Sequence, residues 1–295
     1  MVHLPVGCAT MTWTNKTEAA ASEADILTDV AAAGYDGIPL PRNAPRPLPE
    51  LQDMLASYGL RVAPGYLGGR FWDAEHLDPL VDEARTLSRK LREAGCAELF
   101  VAAGGSYLTT DGKSRRDIAG RVGPEDGLTE AEYDQFARAL DLVARAAADE
   151  GVRICLHNHV GSVIETRREM EALLARTDPA RVYLGPDTGH LVWAGDDAVA
   201  FCQDHADRIR GIHLKDIDPD VAERGRAAEW DYPAFKNAGI FAELGEGCID
   251  FSAILQTLQS VDYSGWLIVE TDFTMKATAL ESATISRSHL RDIGN

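Results

Sequence analysis

The chain has 295 residues, of which 45% are hydrophobic and 26% charged, a composition typical of a folded globular protein rather than a disordered one. Its 47 acidic residues outnumber 29 basic residues, so the formal net charge is -18. Such a charge repels polyphosphate and anionic lipid, which argues against nucleic acid and membranes as partners.

Short apolar runs rich in β-branched residues alternate along the chain with longer amphipathic stretches, a pattern that predicts parallel strands joined by helices. The predicted strands are Val6–Cys8, Gly37–Leu40, Arg61–Tyr66, Glu98–Ala102, Arg153–His157, Val182–Asp187, Ile209–Leu214 and Trp266–Glu270. The predicted helices are Ala19–Ala33, Leu48–Tyr58, Leu77–Ala94, Glu130–Glu150, Arg168–Arg176, Asp197–Ala206, Phe251–Val261 and Ala277–Arg291. Eight such units predict an α/β fold, a single (β/α)8 TIM barrel that forms one domain over residues 1–295.

An open, doubly wound sheet is the competing fold. It would normally carry a glycine-rich turn after its first strand, and the segment Gly7–Trp13 has no such dinucleotide fingerprint. Segments 67–73, 104–127 and 217–242 lack strong periodicity and follow predicted strand ends, so we expect them to be lids or substrate walls. The aromatic residues of segment 217–242 would either shelter a ligand or pack against a neighbouring subunit.

The five cysteines are scattered without the paired spacing of metal or redox motifs, so we interpret them as reduced thiols. The sequence begins without a basic leader, and no apolar run approaches the roughly 18 residues that a membrane helix needs. We therefore expect a cytoplasmic protein.

Titratable residues cluster at the ends of the last four predicted strands. They are His157, His159 and Glu165 after the fifth strand, Asp187 and His190 after the sixth, His213 and Lys215 at the seventh, and Glu270 at the eighth. A single histidine near a strand end is more often structural than a metal ligand. Four neighbouring strands that each end in a potential ligand favour a shared site, since buried polar groups are costly without a common purpose.

The same region carries the stretches LHNHVGSVIET, GPDTGHLVWAGDD, DRIRGIHLKDID, LGEGCIDF and GWLIVETD. With them the sequence resembles the xylose isomerase-like barrels, and among these it is most similar to the myo-inosose dehydratase family. The resemblance implies a homo-oligomer with Asp187, His213 and Glu270 as metal ligands. For the fourth ligand we choose Glu165 from the matching Glu-Thr motif, with His157 as the alternative.

A site of carboxylates and imidazoles suits one divalent metal, with Mn2+ as first choice and Co2+, Mg2+ or Zn2+ as alternatives. Such a metal favours removal of a proton next to a substrate ketone. His157, His159, His190 and Glu270 are the candidate acids and bases, with Glu270 expected to accept the first proton. Lys215 would share a face with His213, where it would stabilise an oxyanion or pair with a carboxylate such as Asp216.

The sequence therefore predicts a lyase, a metal-dependent dehydratase of a keto-inositol or related keto-polyol in inositol catabolism. A sugar isomerase or epimerase and a 3-keto-glycoside eliminase would use the same metal site. A nonenzymatic sugar-binding barrel is a further alternative, whereas the acidic charge argues against a metal-dependent endonuclease.

Overall fold

The computed structural model describes residues 3–16, 21–43 and 46–295, and within these ranges no helix has the length and apolarity needed to cross a membrane. Its strands are β1 Val6–Cys8, β2 Gly37–Pro39, β3 Arg61–Ala63, β4 Gly65–Gly69, β5 Glu98–Ala103, β6 Arg153–His157, β7 Val182–Leu184, β8 Ile212–Leu214, β9 Asp216–Ile217, β10 Phe241–Ala242 and β11 Leu267–Val269. Its α-helices are α1 Met11–Lys16, α2 Glu23–Ala33, α3 Leu48–Ser57, α4 Leu77–Glu93, α5 Glu130–Asp149, α6 Arg167–Leu174, α7 Thr188–Trp193, α8 Ala198–Asp204, α9 Pro219–Ala227, α10 Tyr232–Asn237, α11 Phe251–Ser260 and α12 Ala279–Asp292.

The strands form a closed barrel of parallel staves. One sheet has the order β3-β2-β1-β11-β8 and another the order β4-β5-β6-β7. Strands β3 and β4 follow one another with only Pro64 between them, so one stave passes from the first sheet to the second. Parallel bridges from Leu184 to Ile209 and from Asp187 to His213 join β7 to β8 and close the ring. The predicted TIM barrel is confirmed.

All eight predicted strand runs contain barrel strands, and the third is interrupted by Pro64 because proline has no backbone N–H to donate. Residues 19 and 20 of the first predicted helix lie outside the described residues. The described helix, α2, begins at Glu23 because Ser22 and Asp25 form a reciprocal capping box there.

Segment 217–242 is more regular than its sequence pattern indicated. It forms α9 and α10 between β9 and β10, which pair antiparallel. Asp218 and Asp231 cap the two helices, and a proline follows each cap at the first helical turn. Its aromatic residues Phe235 and Phe241 pack with Trp193 in a small core beside the barrel. The segment is therefore a folded wall over the carboxyl ends of the strands.

Phe100 on β5 fills the barrel interior beneath these strand ends. Its ring is fully buried and lies 4.3 Å, between centroids, from the ring of His213. Gly185 and Gly211 leave room for it, since a Cβ added to either glycine would lie within 3 Å of the Phe100 ring. The barrel thus supports the imidazoles at its mouth with a large aromatic side chain from below.

We expect Gly211→Ala to lower the free energy of unfolding by about 1–3 kcal/mol, because the added methyl group overpacks against Phe100. Urea denaturation of Gly211→Ala, Phe100→Leu and the double variant should show that the double variant loses less than the sum of the singles. Gly65→Ala is the matched control, since its Cβ would meet Leu40 at an ordinary 3.4 Å. Additive losses in the double variant would contradict this account of the packing.

Candidate metal centre and active site

The strand ends deliver the predicted side chains to one place. His157 ends β6, His213 lies within β8, and Asp187 follows β7 as the N-cap of α7. Asn158 fixes Asp187 from the neighbouring stave, because its side chain accepts a hydrogen bond from the Asp187 N–H (2.9 Å) and donates one to the Asp187 carbonyl (3.2 Å). The register of β6, β7 and β8 therefore sets the positions of these groups.

His157, Asp187 and His213 form a group whose donor atoms all lie within 4.8 Å of one another. Glu270 joins it, with Oε2 2.8 Å from His213 Nδ1. Asp187 Oδ2 and His213 Nδ1 are buried, and their contacts with Lys215 Nζ (3.2 Å) and Glu270 Oε2 (2.8 Å) lack hydrogen-bond geometry. Buried polar atoms normally have well-formed hydrogen bonds, so ligand-type atoms that converge without them fit a site for a cation.

His157 has the tautomer that a metal ligand needs. Its Nδ1 lies 3.1 Å from the Gly185 carbonyl oxygen, which can only accept a hydrogen bond. Nδ1 therefore carries the proton, and the lone pair of Nε2 is free. Burial lowers the pKa of His157 well below its usual value, and the neighbouring His213 adds to the effect, so the imidazole stays neutral.

Lys215 lies at the centre of the site and is fully buried. Its Nζ donates to Glu270 Oε1 (2.9 Å) and Asp272 Oδ2 (3.2 Å) and lies 3.2 Å from Asp187 Oδ2. Burial alone would lower the pKa of Lys215, but the surrounding carboxylates raise it well above its usual value, so the ammonium remains charged. With all three carboxyl groups ionised, two negative charges stay uncompensated, which is the charge of one divalent cation.

Each carboxyl group of the cluster responds differently to this environment. Burial raises the pKa of Asp187, although Lys215 opposes the effect. Burial likewise raises the pKa of Asp272 to about 7, again against the influence of Lys215. Burial would also raise the pKa of Glu270, yet the Lys215 ammonium and His213 outweigh it and hold that pKa well below its usual range.

His159, His190 and Asp272 form a second group of donor atoms within 4.8 Å of one another. His190 Nε2 lies 3.0 Å from Lys215 Nζ, so its lone pair accepts from the ammonium. His159 Nδ1 lies 2.7 Å from the Val160 carbonyl oxygen, which leaves the His159 Nε2 lone pair unused by that contact. Burial, reinforced by Lys215, lowers the pKa of His159 to about 4, so this imidazole is neutral at pH 7.

Sequence reasoning left Asp272 out of the site. Its place two residues after Glu270, at the end of β11, was the available signal, because alternate residues of an extended segment share a face. The structure brings Asp272 to Lys215 and to the Tyr232 hydroxyl, which donates to Asp272 Oδ2 at 3.4 Å.

Glu165 is not brought to this cluster. Its carboxylate accepts hydrogen bonds of 2.7 Å from the backbone N–H groups of Gly120 and Gly161, and its Oε2 lies 3.9 Å from Arg115 Nη2. The loop after β6 folds back toward segment 104–127 rather than over the barrel mouth. Glu165 therefore secures that segment, and the alternative, His157, lies with Asp187 and His213.

A cavity of about 650 Å³ opens onto the cluster from the carboxyl ends of the strands. Its lining includes His157, His159, His213, Glu270 and Asp272 from the cluster, and Tyr66, Phe100, Arg116, Tyr232 and Lys236 around it. A cavity of this size with convergent polar groups is typical of a small-molecule site.

Comparisons with known proteins agree with this fold. Residues 27–291 match the sequence model of the family described as xylose isomerase-like TIM barrel. The chain is 31% identical over 275 residues to the inosose dehydratase of Geobacillus kaustophilus, covering 90% of this chain and 87% of that protein. It is 31% identical over 246 residues to a rhizopine catabolism protein of Rhizobium meliloti, covering 83% of this chain and 73% of that protein.

Solved structures show the same fold at lower sequence identity. The 3-keto-D-glucoside 4-epimerase of E. coli superposes with a TM-score of 0.71 at 16% identity, covering 98% of this chain and 100% of that one. The probable 3-DHS dehydratase of Bacillus anthracis superposes with a TM-score of 0.68 at 14% identity, covering 98% of this chain and 99% of that one.

The environment of Glu165 predicts a pH-dependent stability. Burial raises the pKa of Glu165 from 4.5 to about 7, with Arg115 opposing the effect. The folded state binds this proton more tightly than the unfolded state does. The resulting stabilisation of the folded state is complete below about pH 4.5 and is lost as the pH rises through 7. From pH 5 to pH 8, the free energy of unfolding should therefore fall less in Glu165→Gln than in the wild type. The two decreases should differ by up to about 3 kcal/mol.

Urea unfolding at several pH values measures this difference. Glu223→Gln, which alters an exposed carboxyl group on α9, is the control and should keep the wild-type pH dependence. An identical pH dependence in Glu165→Gln and the wild type would refute the assignment.

Proposed function

The chain belongs to the xylose isomerase-like TIM barrel family, and we propose that it is a metal-dependent dehydratase of a keto-inositol or related keto-polyol. The observation that carries the proposal is the cluster of His157, Asp187, His213 and Glu270 at the floor of a cavity for a small ligand. Relatives named inosose dehydratase, about 30% identical over 90% of the chain, support this substrate class.

We propose that one divalent metal is held by Asp187, His213, Glu270 and His157. His157 replaces Glu165 in this set because its Nε2 is free, whereas both carboxylate oxygens of Glu165 accept hydrogen bonds from backbone N–H groups. Two carboxylates and two imidazoles suit Mn2+, with Co2+, Mg2+ and Zn2+ as alternatives. When bound, the ion supplies Lewis acidity that favours negative charge on the ketone oxygen of the substrate.

His159 is the base that this arrangement favours. The lone pair of His190 Nε2 is occupied by Lys215, and that of His157 is assigned to the metal. His159 lines the cavity with an unprotonated Nε2, so it can accept the proton from the carbon next to the ketone. This differs from the sequence-based hypothesis, in which Glu270 accepts that proton and His159 or His157 serves as an acid.

Lys215 and Asp272 serve the rest of the elimination. As the C–H electron pair forms the new double bond, the β-hydroxyl group leaves with the electron pair of its C–O bond. It needs a proton to depart as water, and Asp272 lines the cavity where a protonated carboxyl group can donate it. The Lys215 ammonium, fixed by Glu270 and Asp272, stabilises negative charge that develops nearby.

The proposed ligand set predicts which variants lose the metal. Asp187→Asn, His213→Ala and His157→Ala should each weaken Mn2+ binding by at least the 10- to 100-fold that is typical for residues supporting a metal site. Glu165→Gln should bind Mn2+ as the wild type does. Equilibrium dialysis followed by elemental analysis measures the affinity. If Glu165→Gln loses the metal and His157→Ala retains it, the fourth ligand has been misassigned.

The proposed reaction is tested with a keto-inositol in deuterated water, followed by NMR spectroscopy. We expect an unsaturated product formed with loss of water. His159→Gln should lower kcat by about 10²- to 10⁴-fold while it retains the metal. Deuterium incorporation without water loss would identify another enzyme class. An inverted stereocentre next to the carbonyl group would indicate an epimerase, and a shifted carbonyl group an isomerase. A protein that is purified without metal, binds none when it is added and shows no turnover would favour a sugar-binding barrel.

A further inference from the structure

Two basic residues, Arg116 and Lys236, line the cavity but take no part in the cluster around Lys215. We propose that they form an anion-binding subsite that receives a carboxylate or phosphate substituent of the keto-polyol substrate. That the ligand is a keto-polyol rests on the proposed function, whereas the anion-binding subsite itself does not.

Arg116 is held in place by the folded wall of segment 217–242. Its guanidinium carbon lies 3.9 Å from the centroid of the Tyr232 ring, and its carbonyl oxygen accepts a 2.9 Å hydrogen bond from the Tyr232 N–H. A Cβ on Gly161 would lie 2.9 Å from Arg116 Cγ, so the stem of the arginine packs closely against that glycine. An arginine stacked in this way loses little side-chain freedom when it binds an anion.

Lys236 stands on the same wall. It follows Tyr232 by four residues on α10, and residues at this spacing lie on one face of a helix. Its Nζ lies 5.6 Å from the centroid of the Phe273 ring. Tyr232 thus connects the two cations, one stacked on its ring and the other one helical turn away.

Neither cation forms an ion pair with a carboxylate in the part of the chain that the structure describes. No carboxylate of the described residues lies within 4.0 Å of the charged nitrogens of Arg116 or Lys236. This is notable in a chain with 47 acidic and 29 basic residues, where partners of opposite charge are abundant. Cations that line a cavity without carboxylate partners favour an anion as their ligand.

The charge of the cluster does not oppose such a ligand. Lys215 offsets one of the negative charges of Asp187, Glu270 and Asp272. The proposed divalent metal would offset the rest, whether Asp272 is ionised or protonated. A bound anion would then face Arg116 and Lys236 without an excess of negative charge below it.

Calorimetric titration of the Mn2+-loaded protein with matched pairs of ligands tests the proposal. L-sorbose and 5-keto-D-gluconate differ only in a carboxylate, and D-fructose and D-fructose 6-phosphate differ only in a phosphate. We expect the acidic member of at least one pair to bind about tenfold more tightly than its neutral partner. That preference should decrease as the salt concentration rises. The pair that shows it identifies the carboxylate or the phosphate as the preferred group.

The double variant Arg116→Gln/Lys236→Gln should bring the affinity ratio of that pair to about one. Lys90→Gln/Arg138→Gln removes the same charge from α4 and α5, outside the cavity lining, and should leave the ratio unchanged. A ratio near one for both pairs in the wild type would overturn the subsite, even if keto-inositol is dehydrated. If the wild type prefers the acidic ligand but does not dehydrate keto-inositol, the subsite stands and the proposed function is overturned.

Discussion

The site is organised around the charge of Lys215. A fully buried ammonium group is stable only when carboxylates surround it closely, and removal of one partner from such an arrangement typically costs about 3–5 kcal/mol. Asp187 belongs to the β7 stave, while Glu270 and Asp272 follow β11. The ammonium group therefore pairs with acids from the staves on both sides of β8. Because the three carboxylates share one ammonium group, movement of one of them changes the ion pairs of the others.

The Asp-Thr-Gly-His motif acquires a physical explanation from this arrangement. Asp187 supplies one of the acids, and the Thr188 hydroxyl donates to the Lys215 carbonyl while it accepts from the Lys215 N–H. A Cβ on Gly189 would lie only 2.6 Å from Lys215 Cγ, so the stem of the lysine requires a glycine there. His190 then accepts from the ammonium itself. Each residue of the motif contacts the same lysine or its partner acid.

The sequence was sufficient for the barrel and for the convergence of Asp187, His213 and Glu270. Both follow from strand order, because the carboxyl ends of parallel staves meet at one rim. It was not sufficient for Glu165, since the turn from Val160 to Ile164 decides whether that carboxylate faces the rim or segment 104–127. The central role of Lys215 and the inclusion of Asp272 also depend on side-chain packing across staves. Such packing leaves no periodic signal in a single chain.

Glu165 lies outside the cluster around Lys215, but it contacts segment 104–127, which carries the adjacent residues Arg115 and Arg116. Arg115 is buried and pairs through both terminal nitrogens with Glu169, while Glu165 accepts from the Gly120 N–H on the same segment. These contacts hold the backbone on either side of Arg116, whose side chain turns instead toward the cavity and stacks on Tyr232. Because neighbouring residues share that backbone, the buried acids Glu165 and Glu169 help to fix the position from which the Arg116 side chain reaches the cavity.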